Sequence, residues 1–113
     1  MNAVADPGDI LLADLNPIAG REQGGRRPVL AVASRRYAVI PGLILAIPLT
    51  TTDRGLPHHI AVHPNRETGL DRLSFAMTEQ VRALSHVRID RVLGRVDERA
   101  MDEVSRYLHL FID

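Results

Sequence analysis

Short apolar runs separated by turn residues make up most of the chain. Residues 8-GDILLADL-15 alternate loosely at the period of a strand, and 29-VLAVAS-34 is short and rich in valine. The run 43-LILAIPL-49 is apolar throughout, which is typical of a strand that is buried on both faces. A short strand is predicted at 58–63, and strand character returns at 73–80 and more weakly at 82–89.

The pattern changes to a helical period near the end of the chain. Met101, Val104, Leu108 and Phe111 recur at steps of three, four and three, which predicts one apolar stripe packed on the core. Asp97 precedes this stripe and is suited to cap the helix. Several short strands followed by one closing helix predict a small, barrel-like α+β domain.

Length and composition narrow the class of protein. A chain of 113 residues supports one small core, so we expect a single domain over residues 1–113. The chain has no cysteine, which excludes a disulfide framework and a thiolate nucleophile. No signal peptide is recognisable, and the run 43–49 is far too short to cross a bilayer. We therefore expect a cytoplasmic protein without a membrane segment.

Arginine is unevenly distributed although the net charge is zero. All 14 basic residues are arginine. Residues 21–36 hold five arginines against one glutamate, whereas residues 1–16 and 97–113 each carry a net charge of −3. This asymmetry is compatible with a local anion-binding face. It is equally compatible with an arginine-rich surface of solvated charges.

The segment 21-REQGGRRPVL-30 gathers three arginines around two glycines before a predicted strand. The glycines permit positive φ and close approach of a ligand. Arg26 and Arg27 carry planar donors that suit phosphate oxygens. The proline that follows biases Arg27 toward extended backbone. The alternative is an ordinary hairpin loop with solvated arginines.

Two further polar groups follow predicted strands. The segment 48-PLTTT-52 places three hydroxyls directly after the buried strand. These hydroxyls either bond the local backbone or flank a phosphodiester beside the arginines. The pair 79-EQ-80 offers a carboxylate and an amide that suit base edges.

The histidines do not predict a metal site. His58 and His59 are adjacent in a predicted strand, so we expect them to point to opposite faces. His59 and His63 share a face but are too far apart in sequence to bind one ion comfortably, and no acidic cluster completes a tetrahedral set. We therefore predict no metal and no cofactor.

The order and spacing of these segments resemble the MazF/PemK/Kid toxins of bacterial toxin–antitoxin modules over nearly the whole chain. The resemblance implies an SH3-like (CcdB/PemK-like) β-barrel of six to seven strands with a C-terminal α-helix. It also implies a homodimer and a cognate antitoxin protein as a partner. The matching segments are 8-GDILLADLNP-17, 20-GREQGGRRPVLAVAS-34, 47-IPLTT-51 and 74-SFAMTEQVRAL-84.

The resemblance further implies a metal-independent, sequence-specific endoribonuclease that cleaves single-stranded RNA, in cells mRNA. The 2′-OH of the substrate attacks the adjacent phosphate, which leaves a 2′,3′-cyclic phosphate and a 5′-OH. The family's leading catalytic pair falls on Arg27 and Thr50. Arg27 would stabilise the phosphorane, and Thr50 would position the phosphate or relay a proton.

Further positions match the family's RNA-contacting residues, with departures. Arg21 stands where many relatives have serine or histidine, and Met77 and Glu79 replace an arginine and an aspartate of plasmid-borne relatives. A mechanism based on that arginine–aspartate pair is therefore not supported here. The predicted RNA-binding residues are Arg21, Glu22, Gln23, Gly24, Gly25, Arg26, Thr51, Glu79 and Gln80.

Two alternatives to the nuclease remain open from the sequence. A CcdB-like toxin would act on DNA gyrase, an activity associated with a C-terminal tail containing tryptophan. This chain has no tryptophan and ends Phe111-Ile112-Asp113, which argues against that alternative. A catalytically silent RNA-binding module stays compatible with the sequence, because the presence of Arg27 and Thr50 does not prove that they converge.

Overall fold

One antiparallel sheet and one α-helix form the part of the protein that the structure describes. The computed structural model describes residues 5–16, 25–32 and 42–112, and the statements below concern these residues. The sheet has seven strands, the helix follows them, and short 3-10 turns lie at Thr78–Gln80 and His86–Arg88. The elements are β1 Asp9–Asp14, β2 Arg26–Ala31, β3 Leu43–Thr50, β4 His59–Val62, β5 Ser74–Met77, β6 Arg82–Ser85, β7 Ile89–Arg95 and α1 Glu98–Ile112.

Strand β3 connects the parts of the sheet. The strand order is β4-β5-β3-β2-β1-β7, and β6 pairs with β3 as well. The first half of β3 pairs with β6, and its last two residues, Leu49 and Thr50, pair with β5. The predicted barrel-like α+β fold with a C-terminal helix is therefore confirmed. The described pairings do not close the sheet, because β4 and β7 end the order.

Two apolar clusters lie on opposite faces of the central strands. Ile10 and Leu30 belong to the cluster that includes Val104 of α1, whereas their neighbours Leu11 and Val29 belong to the other cluster. Such alternation follows from the period of two residues in a strand. Burial on both faces explains why the predicted strands contain few polar positions, and it confirms the prediction for the run that became β3.

Two strands differ from the sequence prediction. The pattern does not predict β7, because three consecutive residues, Asp90, Arg91 and Val92, are exposed. This strand nevertheless pairs with β1, with two register shifts. Strand β2 begins at Arg26, three residues before the predicted start at Val29. Arg26 and Arg27 therefore lie in a strand, and the prediction that they belong to a loop is wrong.

Helix α1 begins and packs largely as predicted. The Asp97 carboxylate accepts a hydrogen bond from the peptide N–H of Ala100 at 2.9 Å, which satisfies a donor of the first turn. Val104 is buried, and Met101 and Leu108 pack against the core. Phe111 is 49% exposed, so its predicted place in the core is wrong. Within the described part of the chain, no helix has the length and apolar character needed to span a membrane.

The segment before β5 approaches β7 so closely that only glycine fits at residue 69. Gly69 has a φ of 68°, and a Cβ there would lie 2.0 Å from the carbonyl oxygen of Leu93. Gly55 has a similar φ of 67°, but a Cβ there would meet nothing within 4 Å.

We predict that Gly69→Ala lowers the free energy of unfolding by about 4 kcal/mol or more, because steric overlap adds to backbone strain. Gly55→Ala, the matched control, is expected to lower it by about 1 kcal/mol through strain alone. Urea unfolding of both variants measures the difference. Equal losses would contradict the close approach between residue 69 and β7.

Candidate active site

The ends of β2 and β3 bring the two predicted catalytic residues together. The pairing of β2 with β3 ends at Val29 and Pro48, and Arg27 and Thr50 lie two residues beyond this pair on their strands. The Arg27 guanidinium donates a hydrogen bond through Nη1 to the carbonyl oxygen of Leu49 at 3.2 Å. The guanidinium therefore contacts the peptide group that joins Leu49 to Thr50.

The Arg27 guanidinium is positively charged at neutral pH and donates hydrogen bonds. The side chain is half-buried, and this burial lowers the pKa of Arg27, with a further contribution from the positive charge of Arg54. Arginine titrates so far above neutrality that the group stays protonated in this setting. The site thus favours stabilisation of an anion by Arg27 over proton abstraction.

Thr50 places a hydroxyl at the end of the buried strand. The residue is 7% exposed, and its Oγ1 accepts the peptide N–H of Thr52 at 3.2 Å. A hydroxyl that accepts one hydrogen bond keeps its own proton for donation. The local backbone bond predicted as one alternative is therefore present, and it leaves a donor for a phosphate oxygen.

Arg54 is a further basic residue of this region, and it does not belong to the predicted RNA-binding residues. It is exposed, and its Nη1 donates to the Met77 Sδ at 3.4 Å. The Gln80 amide donates to the same sulfur at 3.6 Å, so both polar groups converge on the end of β5. The only feature of the sequence that points to Arg54 is its basic side chain in the polar loop after β3.

The Glu79 carboxylate is held by two histidines. His59 Nε2 lies 3.0 and 3.1 Å from its two oxygens, and His58 Nε2 lies 3.3 Å from Oε1. Burial opposes ionisation of Glu79, but the hydrogen bond from His59, a backbone hydrogen bond and the nearby histidines outweigh it and lower the pKa of this carboxyl. Glu79 is therefore an ionised acceptor.

The prediction that His58 and His59 point to opposite faces is wrong. Strand β4 begins at His59, so His58 lies in the preceding turn, where strand alternation does not apply. Both Nε2 atoms consequently reach the same carboxylate. The sequence prediction assumed that both histidines lie in a strand, so it could not show that they converge on Glu79.

Thr78 anchors the turn that carries Glu79 and Gln80 by a hydrogen bond. This residue is fully buried, and its hydroxyl donates to the carbonyl oxygen of His58 at 2.7 Å. The bond joins the turn to the residue that precedes β4. It therefore restrains the turn from which the Glu79 and Gln80 side chains project.

The remaining predicted RNA-binding residues have different positions. Gly25 adopts the expected positive φ, 78°, and donates its N–H to Asn16 Oδ1 at 3.0 Å. The Arg26 guanidinium pairs with Asp90 of β7, so it diverges from Arg27. Thr51 is exposed directly after β3. Arg21, Glu22, Gln23 and Gly24 lie outside the described residues.

Known proteins of similar sequence identify the family of this chain. Residues 6–112 match the profile of the PemK-like, MazF-like toxins of type II toxin–antitoxin systems. The chain belongs to this family. It is 32% identical over 106 residues to endoribonuclease EndoA of Bacillus subtilis, which covers 91% of this chain and 90% of that protein.

Solved structures agree with the fold. The structure of MazF from Deinococcus radiodurans superposes with a TM-score of 0.83 at 28% identity, covering 98% of each chain. A MazE–MazF structure from the same organism superposes with a TM-score of 0.75 at 28% identity, covering 99% of this chain and 100% of that one. The predicted resemblance is thereby confirmed.

We predict that Thr78→Val lowers the free energy of unfolding by about 1–3 kcal/mol, because the carbonyl of His58 loses its partner in a partly buried place. The exposed Thr51→Val, as a matched control, is expected to change it by less than about 0.5 kcal/mol. Thermal and urea unfolding provide the measurement. A Thr78→Val variant as stable as the control would show that this hydrogen bond does not hold the turn.

Proposed function

We propose that this chain is the toxin component of a type II toxin–antitoxin system and acts as a metal-independent, sequence-specific endoribonuclease. Its substrate is single-stranded RNA, in cells mRNA, and its products carry a 2′,3′-cyclic phosphate and a 5′-OH. The observation that carries the proposal is the convergence of the Arg27 guanidinium and Thr50 at the ends of β2 and β3. The similarity to EndoA supports it.

The reaction is a transfer within the substrate. The 2′-oxygen forms a bond to phosphorus and loses its proton, while the bond to the 5′-oxygen breaks and that oxygen gains a proton. Negative charge grows on the phosphorane oxygens between these events. Arg27 would stabilise this charge, and the Thr50 hydroxyl would donate to a phosphate oxygen or relay a proton.

The turn Thr78–Gln80 is the proposed base-contacting element. Its Gln80 amide and Glu79 carboxylate suit the edges of unstacked bases. Three contacts from histidine nitrogens already engage the carboxylate. A carboxylate has about four acceptor positions, so little capacity remains for a base. Gln80 therefore has the larger part in base recognition in this proposal.

The proposed partners follow from the family. A cognate antitoxin is expected because a similar structure contains MazE with MazF. A homodimer, a single domain over residues 1–113 and a cytoplasmic location complete the proposal and stay predictions. The alternative of a gyrase-directed toxin is not favoured, since the similar curated protein is named an endoribonuclease.

We predict that the protein cleaves a diverse single-stranded RNA pool in EDTA and that Arg27→Ala and Thr50→Ala each reduce the rate about 100- to 1,000-fold. Arg99→Ala, which removes an exposed charge in the first turn of α1, is the control and is expected to keep the wild-type rate. Fluorescent substrates report the rate, and mapping of the 3′ ends reports the cyclic phosphate.

Full activity of Arg27→Ala or Thr50→Ala would overturn the assignment of that residue. Absence of cleavage by folded protein across the pool would overturn the nuclease proposal. RNA binding without cleavage would then establish the silent-module alternative.

We also predict that Arg54 contacts a second phosphate, because its charge acts on Arg27 and its guanidinium lies beside Met77. In a Thr50→Ala background, Arg54→Gln is expected to reduce the slope of log K against log salt by about 0.7. Fluorescence anisotropy of labelled RNA at several salt concentrations measures this slope. The control is Arg99→Gln, an exposed charge in the first turn of α1. An unchanged slope for Arg54→Gln would contradict the contact.

A further inference from the structure

We propose that His58, His59 and Glu79 form a binding site for Zn²⁺ and that Zn²⁺ bound there inhibits the protein. The metal-binding part is independent of the proposed nuclease function. The inhibitory part rests on that function, because Glu79 belongs to the proposed RNA-contacting turn.

The three ligand atoms are already arranged around one point. One ring nitrogen of each histidine and one carboxylate oxygen of Glu79 all lie within 4.8 Å of one another. His58 Nε2 lies 3.3 Å and His59 Nε2 lies 3.0 Å from Glu79 Oε1. Neighbouring ligands of a tetrahedral zinc ion, each about 2.0–2.1 Å from the metal, are separated by about 3.3 Å. Small shifts therefore suffice to admit the ion, with a fourth position for water.

The surroundings hold the imidazoles in place. The side chain of His59 is 2% exposed, so its ring is fixed by packing. The His58 ring packs edge-on against Phe111, with ring centroids 5.6 Å apart. Thr78 binds the carbonyl oxygen of His58. Preformed ligands reduce the ordering that metal binding requires.

The ligand types select the class of metal. Two imidazoles and one carboxylate suit Zn²⁺ and other late transition metals, whereas Mg²⁺ and Ca²⁺ prefer oxygen ligands alone. Mg²⁺ is therefore the suitable control ion.

One buried atom sets a limit on the affinity. His59 Nδ1 has no hydrogen-bond partner in the described part of the protein. Without metal, Nε2–H donates to Glu79 and Nδ1 carries a lone pair. Zn²⁺ on Nε2 moves the proton to Nδ1, where it meets no acceptor. Loss of such an outer partner weakens binding about 10- to 100-fold, so we expect weaker binding than at a site with a complete outer shell.

Calorimetric titration of the full chain, prepared without a polyhistidine tag and freed of metal, tests the site. We expect one Zn²⁺ per chain, no comparable binding of Mg²⁺, and a Co²⁺ adduct with the visible absorption of a tetrahedral ion. His58→Ala and Glu79→Gln are expected to weaken Zn²⁺ binding about tenfold or more. His63→Ala, the matched control, removes an exposed histidine just after β4 and is expected to bind as the wild type does.

Absence of Zn²⁺ binding by the folded wild-type chain would overturn the site. Unchanged affinity in His58→Ala or Glu79→Gln, with native circular dichroism, would also overturn it. These outcomes do not depend on any RNA assay.

An RNA cleavage assay tests the inhibitory role of Zn²⁺. We expect Zn²⁺ to inhibit the wild type and His63→Ala and to inhibit His58→Ala only at concentrations about tenfold higher or more. Equal inhibition of His58→Ala, or binding of Zn²⁺ without inhibition, would overturn the inhibitory role. If no variant cleaves RNA even in EDTA, the proposed nuclease function and its inhibition fail together, while calorimetry still decides the metal site.

Discussion

The burial of β3 on both faces is the constraint on which the rest of the structure depends. A strand with apolar contacts above and below cannot place a charged side chain along its length without a large desolvation cost. Polar chemistry is therefore confined to its end, at Thr50. Because β3 also pairs with β2 and β5, the same end receives Arg27 from one neighbour and the turn after Met77 from the other.

The environment of Arg27 follows from this position. A guanidinium at the end of a buried strand loses part of its hydration, and the Leu49 carbonyl replaces some of the lost interactions. The positive charge of Arg54 disfavours the protonated form further. Two positive charges beside a low-dielectric surface repel each other, and an anion between them relieves this repulsion. The arrangement therefore favours a phosphate more than either arginine would alone.

Elements that bury an apolar face could be predicted from the sequence. Elements that exist because they pair with another strand could not. The apolar runs of β1 and β3 and the stripe of α1 are consequences of local periodicity, so they could be recognised. Strand β7 is half exposed and exists because β1 offers an edge, which no local pattern records. His58, His59 and Glu79 converge because a turn precedes β4 and another follows β5. Distant segments meet there through tertiary structure alone.

The turn Thr78–Gln80 joins stability and function in a way that neither the sequence nor the family resemblance indicates. Thr78 ties the turn to the backbone of His58, and Glu79 ties it to both histidine rings. A carboxylate engaged by two imidazoles has little freedom to adapt to a base. The histidine cluster therefore restrains the short turn that also carries Gln80, whose amide donates to the Met77 sulfur. A change at these histidines is therefore transmitted to Gln80, the residue that we propose contacts RNA bases.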